Sequence, residues 1–153
     1  MNDTGRSQAR LAGPKLAGQG IVAIVASPML RTVETAAIVN ESLNLPISYE
    51  PELREVIFGG MEGKKLHPWF PEWLAGRFRP EGAERFAEMT ERVRLAMVRV
   101  LQLPGPVLIV SHGGVFRSLC ALMELPLDAG ITPNAVPWYC EPDVGGWRIE
   151  ARK

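Results

Sequence analysis

The sequence predicts a three-layer αβα sandwich of the α/β class, with helices on both faces of a mostly parallel sheet. Continuous apolar runs, typical of strands covered on both faces, alternate with longer segments of helical periodicity. The length of 153 residues, with 46% hydrophobic and 22% charged residues, fits one globular domain over 1–153. No internal repeat or low-complexity linker divides the chain.

The first elements follow from apolar spacing and from helix start signals. Residues 5–17 have the spacing of a helix, which we expect Pro14 to kink or end. The run Ile21–Ala26 predicts a buried strand. Ser27 is a good N-cap and Pro28 a good first helical residue for the next helix.

The middle of the chain is read as a helix end, a short strand and a long loop. The second helix is expected to stop near Asn44, before a short strand at Ile47–Tyr49. Residues 51–80 are rich in Pro and Gly and are expected to form a loop. Trp69 and Trp73 in this loop either line a substrate entrance or pack in the core.

The second half predicts a helix, a buried strand, a further helix and a hairpin. The segment Glu81–Leu103 has strong helical periodicity, and we expect its charged residues to lie away from the apolar face. A strand at Val107–Val110 and a helix over Val115–Glu124 follow. The strands Ala135–Cys140 and Trp147–Ala151 are expected to pair as a hairpin.

Charge and cysteine content exclude several classes of function. Seventeen basic residues balance seventeen acidic ones, so we expect neither nucleic acid nor a membrane surface as a partner, while a homo-oligomer remains open. The two cysteines, Cys120 and Cys140, do not suit a disulfide scaffold or a metal site, and a cytoplasmic location is the expectation. No apolar run is long enough to cross a bilayer.

Two strand-to-helix junctions carry residues suited to binding an anion. Ligands of open α/β sheets collect at the carboxyl ends of strands, beside helix N-termini. Arg31 follows the first buried strand, where it is either solvated or paired with an anion. His112 lies just after the strand Val107–Val110 and is followed by Gly113, which allows a ligand close to the backbone. Glu55 lies beyond another strand, as either an exposed turn residue or a proton donor.

These motifs together resemble the histidine phosphatase superfamily, also described as phosphoglycerate mutase-like. The resemblance runs in order from about residue 3 to 140. Its motifs are Thr4-Gly5-Arg6-x-Gln8-Ala9, Ser27-Pro28-x-x-Arg31-Thr32-x-x-Thr35-Ala36, Leu53-x-Glu55 with Gly59-x-x-Glu62-Gly63, Gly82-Ala83-Glu84-Arg85-Phe86 and Ser111-His112-Gly113-Gly114.

The resemblance implies a phosphoryl-transfer site that works through a phosphohistidine, without a metal or other cofactor. Arg31 and Gly113 would bind phosphoryl oxygens, and His112 would bind and stabilise the group in transfer. Glu55 would act as proton donor and then as base for water, and Asn134 would lie near the pocket. The implied ligand is a small phosphorylated substrate or inorganic phosphate.

The motif that defines this family, Arg-His-Gly at the end of its first strand, is absent from the sequence. His67 is followed by Pro68 and does not end a buried strand, so we do not expect it to replace the nucleophile. Three explanations are open: the natural chain extends before Met1, the strand has been lost, or another copy or a partner supplies it. Because the family's first strand would lie beside Val107–Val110, we expect the hairpin either to dock there or to be poorly ordered.

These observations bear on four possible functions. Hydrolysis of a small phosphomonoester is favoured over phosphoglycerate mutase activity, because the segment between Glu55 and Ser111 is too short for a large closed lid. A non-catalytic phosphate-binding module is the alternative. An α/β-hydrolase is disfavoured because the sequence contains no Gly-x-Ser-x-Gly elbow.

Overall fold

The computed structural model describes residues 1–65, 68–126 and 133–151, and His67 lies outside them. Its helices and strands alternate along the chain, with two short 3₁₀ turns after the second strand. In chain order they are α1 (Asp3–Leu16), β1 (Ala23–Ala26), α2 (Leu30–Asn40), β2 (Ile47–Tyr49), the 3₁₀ turns Pro51–Leu53 and Gly59–Met61, α3 (Trp69–Leu74), α4 (Phe86–Val100), β3 (Val107–Val110), α5 (Gly113–Leu122), β4 (Trp138–Asp143) and β5 (Gly146–Ala151).

The central sheet is parallel, as predicted, and has the order β2-β1-β3. In its register Ile24 of β1 lies opposite Ile47 of β2 on one side and Leu108 of β3 on the other. Strands β1 and β3 are aligned in register, so their carboxyl ends lie side by side. The two predicted junctions therefore lie together at the carboxyl-terminal end of the sheet. The position of the candidate site follows from this register.

Side chains of β1 alternate between two apolar layers, because successive residues of a strand point to opposite faces. Ile24 and Ala26 pack with Ala36 of α2, whereas Val25 packs in the cluster that contains Val93 of α4. Helix α1 covers α2 from outside through a separate small cluster. The result is the expected arrangement of helices on both faces of a sheet.

The C-terminal hairpin is confirmed, but it forms a sheet of its own. Strand β4 pairs with β5 alone, joined through the turn at Val144 and Gly145. The expected docking of the hairpin on Val107–Val110 by strand pairing is therefore wrong. In the described ranges no strand lies between β3 and the hairpin, so the outer edge of β3 is open. The hairpin instead contacts α5 through the rings of Phe116 and Trp138, whose centroids are 5.3 Å apart.

The bounds of α1 and α4 differ from the predicted ones. Each of these helices begins where a side chain forms a hydrogen bond with a backbone N–H at the helix start. Helix α1 begins at Asp3 because Asn2 caps it, its side chain accepting the N–H of Gly5 at 2.9 Å. It passes through Pro14 and ends at Leu16, since a proline in the last turn removes only one helical hydrogen bond. Helix α4 begins at Phe86, later than predicted, where Glu88 accepts the N–H of Arg85 at 2.8 Å.

The segment predicted as a loop contains α3, and its tryptophans belong to the core. Trp69 and Trp73 are buried, and Trp73 Nε1 donates to the carbonyl of Glu84 at 2.8 Å. The tryptophans were expected either to line a substrate entrance or to pack in the core, and the structure shows them packed in the core. The short helix was missed because its stabilisation comes from this burial and not from a long periodic pattern. No described helix has the length and apolar character needed to cross a membrane.

Candidate active site

Ser27 and His112 meet where β1 and β3 end. Ser27 is fully buried, and its Oγ lies 2.8 Å from His112 Nε2. Helix α2 begins only at Leu30, with Met29 as its N-cap. Ser27 is therefore not the N-cap residue that was predicted, although its Oγ accepts the backbone N–H of Met29 at 3.4 Å in addition to its contact with His112. A residue chosen from local preference as a cap thus serves as a contact of the candidate site.

Arg31 and His112 are also in contact, as expected for residues that follow two neighbouring parallel strands. Arg31 Nε donates to His112 Nδ1 at 3.2 Å. Because a guanidinium has only donors, Nδ1 accepts, and the ring proton resides on Nε2, which donates to Ser27 Oγ. Burial, with the positive charges of Arg31 and Arg92 adding to it, lowers the pKa of His112 to about 4. His112 is therefore neutral at physiological pH.

Glu55 places its carboxylate at the start of α5. Its Oε1 accepts the backbone N–H of Gly114 at 3.1 Å and that of Val56 at 3.0 Å. Burial raises the pKa of Glu55, although these hydrogen bonds and the charge of Arg31 act in the opposite direction. A carboxyl group that keeps its proton to a higher pH than usual is suited to proton donation. Glu55 is thus a half-buried site residue, and the exposed-turn reading of its segment does not apply to it.

The glycine after Gly113 leaves the space that Glu55 occupies. A Cβ added to Gly114 would overlap Glu55 Oε1 and lie 2.9 Å from Met89 Cε. A Cβ on Gly113 would meet Arg117 Nη1 at an ordinary 3.6 Å. Gly113 begins α5, so its N–H is one of the first-turn donors without an acceptor inside the helix. The N–H of Gly114, the next residue, donates to Glu55.

Asn134 is placed less closely than the other candidates. It lies in an exposed turn just before the hairpin. In the part of the chain that the structure describes, no hydrogen bond joins it to Arg31, Glu55 or His112. Its role near the pocket stays a prediction.

Arg92 is a residue of this site that the sequence analysis missed. It is 7% exposed and lies on the inner face of α4, contrary to the expectation that charges avoid that face. Its guanidinium pairs with Glu84, with Nη2 2.9 Å from Oε2. It also donates to the carbonyls of Glu52 at 2.5 Å, Arg54 at 2.9 Å and Glu55 at 3.4 Å. Arg92 therefore holds the backbone of the segment that carries Glu55.

One signal in the sequence pointed to this arginine. Arg92 follows Met89 by three residues and precedes Val93, so it occupies the apolar stripe of α4. A charged residue within such a stripe needs a buried partner. Glu84 fills that role as the acidic residue of the turn Gly82–Phe86. The pairing could be suspected from periodicity, but its target carbonyls could not.

A cavity of about 420 Å³ opens beside these groups and includes Arg31 and Glu55 in its lining. A larger cavity of about 680 Å³ lies along α3 and α4 and is lined by residues such as Trp73 and Phe86, away from the site. Among the described residues, no cluster of three or more His, Cys, Asp or Glu side chains is arranged to hold a metal ion. The charged groups in the lining of the smaller cavity are Arg31, Arg54, Glu55 and Glu62, of which Arg31 offers a planar fork of donors suited to an anion.

Comparison with known proteins places this geometry in a family. The sequence model of the histidine phosphatase superfamily (branch 1) matches residues 1–151. A probable phosphoglycerate mutase GpmB from Yersinia enterocolitica is 35% identical over 136 residues, covering 80% of this chain and 62% of that relative. A second such protein, from Yersinia pestis, is covered to 66%. The chain thus spans about two thirds of the length of the curated relatives it matches.

Solved structures show the same fold. Bacillus stearothermophilus YhfR has a TM-score of 0.80 and 26% identity, covering 99% of this chain and 83% of that one. A mycobacterial glucosyl-3-phosphoglycerate phosphatase, solved with inorganic phosphate, has a TM-score of 0.75 and 23% identity, covering 98% and 85% of the two chains. With a family model that matches nearly its whole length, the chain belongs to the histidine phosphatase superfamily, branch 1.

Proposed function

We propose that the site binds the phosphoryl group of a small phosphomonoester or inorganic phosphate, and that it supports hydrolysis once a nucleophilic histidine stands beside it. The observation that carries the proposal is the meeting of Arg31, His112 and Glu55 at one edge of the sheet, with contacts of 3.2 Å between Arg31 and His112 and 3.1 Å between Glu55 and Gly114. A fixed cation, a titratable donor and a protonatable carboxyl are what phosphoryl transfer requires.

Each group has a role that its environment favours. Arg31, exposed at the start of α2, offers a planar fork to two phosphoryl oxygens. The N–H of Gly113, which has no acceptor within its own helix, adds a donor at the start of α5. His112 has a neutral ring whose Nδ1 takes a proton once Arg31 turns from it to a bound anion, and the imidazolium then places a positive charge beside the phosphoryl group. Glu55 gives its proton to the departing alkoxide and afterwards accepts one from water.

The nucleophile is the element that these residues do not supply. The sequence contains no Arg-His-Gly, and both ring nitrogens of His112 are engaged, by Arg31 and Ser27. Within the described residues, β3 is an outer strand of the sheet and ends at the site, and an outer strand of this kind can accept a further strand beside it. Phosphate binding is therefore the activity proposed for the chain alone. Hydrolysis is proposed for the chain with a histidine-bearing strand added along the outer side of β3.

Hydrolysis is favoured over mutase activity because the segment from Glu55 to Ser111 is short. Its described helices, α3 and α4, both contribute buried side chains to the core. A mutase must retain its phosphorylated intermediate and exclude water, which requires closure. Among the matched proteins are both a probable mutase and a phosphatase by name.

Binding is tested by titrating inorganic phosphate in a calorimeter. The wild-type chain is expected to bind phosphate, and Arg31→Met is expected to weaken binding at least tenfold because it removes the exposed cation. Arg94→Met is the matched control, since Arg94 is an exposed arginine that pairs with Glu91 on α4. Equal affinity of wild type and Arg31→Met would overturn the proposed phosphate site.

Turnover is tested with an aryl phosphate and by trapping acid-labile phosphohistidine. The chain alone is expected to form no phosphohistidine. The same chain with an added strand that ends in Arg-His-Gly is expected to form it, and a matched strand with Ala in place of His is not. A chain that hydrolyses the ester alone and keeps this activity in His112→Ala would refute the assignment of the site. Phosphate binding without any turnover in the extended chain would identify a non-catalytic phosphate-binding module.

A further inference from the structure

The cavity beside Arg31 and Glu55 has an apolar wall that phosphate binding does not use. Met29, Val56, Ile57 and Phe58 line it together with the charged groups. Ile57 is 49% exposed despite its apolar side chain. Because Arg31 and Glu55 line the same cavity as this wall, a phosphomonoester held by Arg31 would have the wall available to its alcohol part.

Phe58 forms the rigid part of this wall. Its ring meets Trp69 edge-on at 5.2 Å between centroids and Trp73 at 5.3 Å. Aromatic edge contacts of this kind restrict the ring, so its accessible part presents a fixed surface. A flat apolar group that enters the cavity therefore finds a preformed surface.

The charges in the cavity do not suit a second anionic group on the substrate. Apart from Arg31, the cation in the described lining is Arg54, whose Nη1 is already 3.0 Å from Glu52 Oε2. Glu62 also lines the cavity, and its Oε1 accepts the backbone N–H of Phe58 at 2.6 Å. A carboxylate on the substrate would meet the negative Glu62 and a cation whose charge is already paired.

We propose that the substrate of this site is the phosphate monoester of an uncharged aromatic or other apolar alcohol, with the alcohol packed on Ile57 and Phe58. This inference rests on the proposed phosphate-binding function and adds the class of leaving group. It distinguishes the chain from an enzyme for phosphoglycerate, whose carboxylate would lie near Glu62.

The test compares the affinities of three probes: inorganic phosphate, phenyl phosphate and 3-phosphoglycerate. Phenyl phosphate is expected to bind at least fivefold more tightly than inorganic phosphate, and 3-phosphoglycerate no more tightly than inorganic phosphate. Ile57→Ser is expected to remove most of the preference for phenyl phosphate. Val98→Ser is the matched control, because Val98 is similarly exposed at 51% but lies on α4 outside the cavity lining.

A second variant tests the charge argument separately. Glu62→Gln keeps the oxygen that accepts from Phe58 and removes the negative charge. It is expected to raise the affinity for 3-phosphoglycerate two- to fivefold relative to inorganic phosphate, with little effect on phenyl phosphate. An unchanged ratio in this variant would overturn the charge argument, and with it the exclusion of carboxylated substrates.

The outcomes separate the two proposals. If inorganic phosphate does not bind, the proposed function fails and this inference fails with it. If phosphate binds through Arg31 but 3-phosphoglycerate binds more tightly than phenyl phosphate, only the inference about the leaving group is overturned. Equal affinity for all three probes would also overturn it, because the apolar wall would then contribute nothing.

Discussion

Glu55 Oε1 accepts a hydrogen bond from the backbone N–H of Gly114 at 3.1 Å, which joins the segment after β2 to the first turn of α5. Ser111 reinforces this connection, its Oγ donating to the carbonyl of Leu53 at 2.7 Å. A carboxylate at a helix N-terminus is favoured by the free N–H groups and the helix dipole. The candidate proton donor and the candidate anion site therefore share one helix end.

The contact between Glu55 and Gly114 requires a glycine. Gly114→Ala is expected to lower the free energy of unfolding by about 1–3 kcal/mol, because the new Cβ overlaps Glu55 Oε1 and crowds Met89. Gly113→Ala is the control and is expected to be neutral or up to about 1 kcal/mol stabilising, as alanine favours helix. Urea denaturation of both variants measures this. Equal stability of the two would contradict the proposed packing at Gly114.

Arg92 is expected to contribute far more to stability than the other arginines of α4. Arg92→Met leaves Glu84 buried without its partner, which costs about 3–5 kcal/mol of unfolding free energy. Arg94→Met breaks an exposed pair with Glu91 and is expected to change the free energy of unfolding only slightly. Urea denaturation at neutral pH compares them. The double change Arg92→Met with Glu84→Leu should recover part of the loss, and similar costs for the two single variants would refute a special role for Arg92.

His112 is expected to remain neutral to unusually low pH. Its pKa in the folded chain is about 4, below the ordinary 6.5, so between these values the unfolded chain binds the extra proton and the folded chain does not. The free energy of unfolding should therefore fall as pH decreases from 6.5 to 4, by about 1–2 kcal/mol after allowance for solvent screening of the partly exposed ring.

Two measurements check this. Imidazole NMR signals of wild type and His67→Gln identify and titrate His112, and His112→Gln should lack the pH-dependent loss of stability. Glu55 contributes with the opposite sign, because its raised pKa keeps the folded chain protonated above 4.5, and stability falls as pH rises there. Glu55 contributes equally to the free energies of unfolding of wild type and His112→Gln. Subtracting one from the other at each pH therefore leaves the contribution of His112. An ordinary pKa for His112 would show that its ring is not held between Arg31 and Ser27.

Glu55 is expected to make anion binding depend on pH. Sulfate keeps its charge between pH 4.5 and 8, so it reports the protein's own ionisation. Sulfate affinity should fall as pH rises and Glu55 loses its proton, because a carboxylate then faces the anion. Glu55→Gln should bind sulfate with weaker pH dependence, whereas Glu91→Gln, on the exposed pair of α4, should behave as wild type. Calorimetric titrations at several pH values provide the measurement, and an identical slope in Glu55→Gln would contradict the proton-donor role.

Local sequence signals were sufficient for much of the fold. The bounds of β2 and β3 agree with the prediction, and α5 begins within two residues of it, since apolar runs and glycine signals are short-range features. The proximity of Arg31 and His112 also followed from sequence, because parallel strands of one sheet end at the same edge. These predictions needed only the residues around each junction.

The remaining features depend on contacts between distant parts of the chain. Ser27 was predicted as a cap, and only the alignment of β1 with β3 shows that its hydroxyl contacts His112. The hairpin was expected either to dock on β3 or to be poorly ordered, yet it forms a regular pair of strands and contacts α5. Arg92 lies 37 residues from Glu55, whose carbonyl it binds, and no periodic pattern encodes that target.

The sequence by itself determined the α/β class, the two strand-to-helix junctions and the candidate anion-binding residues at them, because apolar periodicity and helix signals act over a few residues. Only the tertiary structure decided which of these groups are neutral, protonatable or held in place. Burial and neighbouring charges lower the pKa of His112, burial raises that of Glu55, and Arg92 holds the backbone of the segment that carries Glu55. Those effects arise from desolvation and from hydrogen bonds across the fold, which no local pattern in the chain contains.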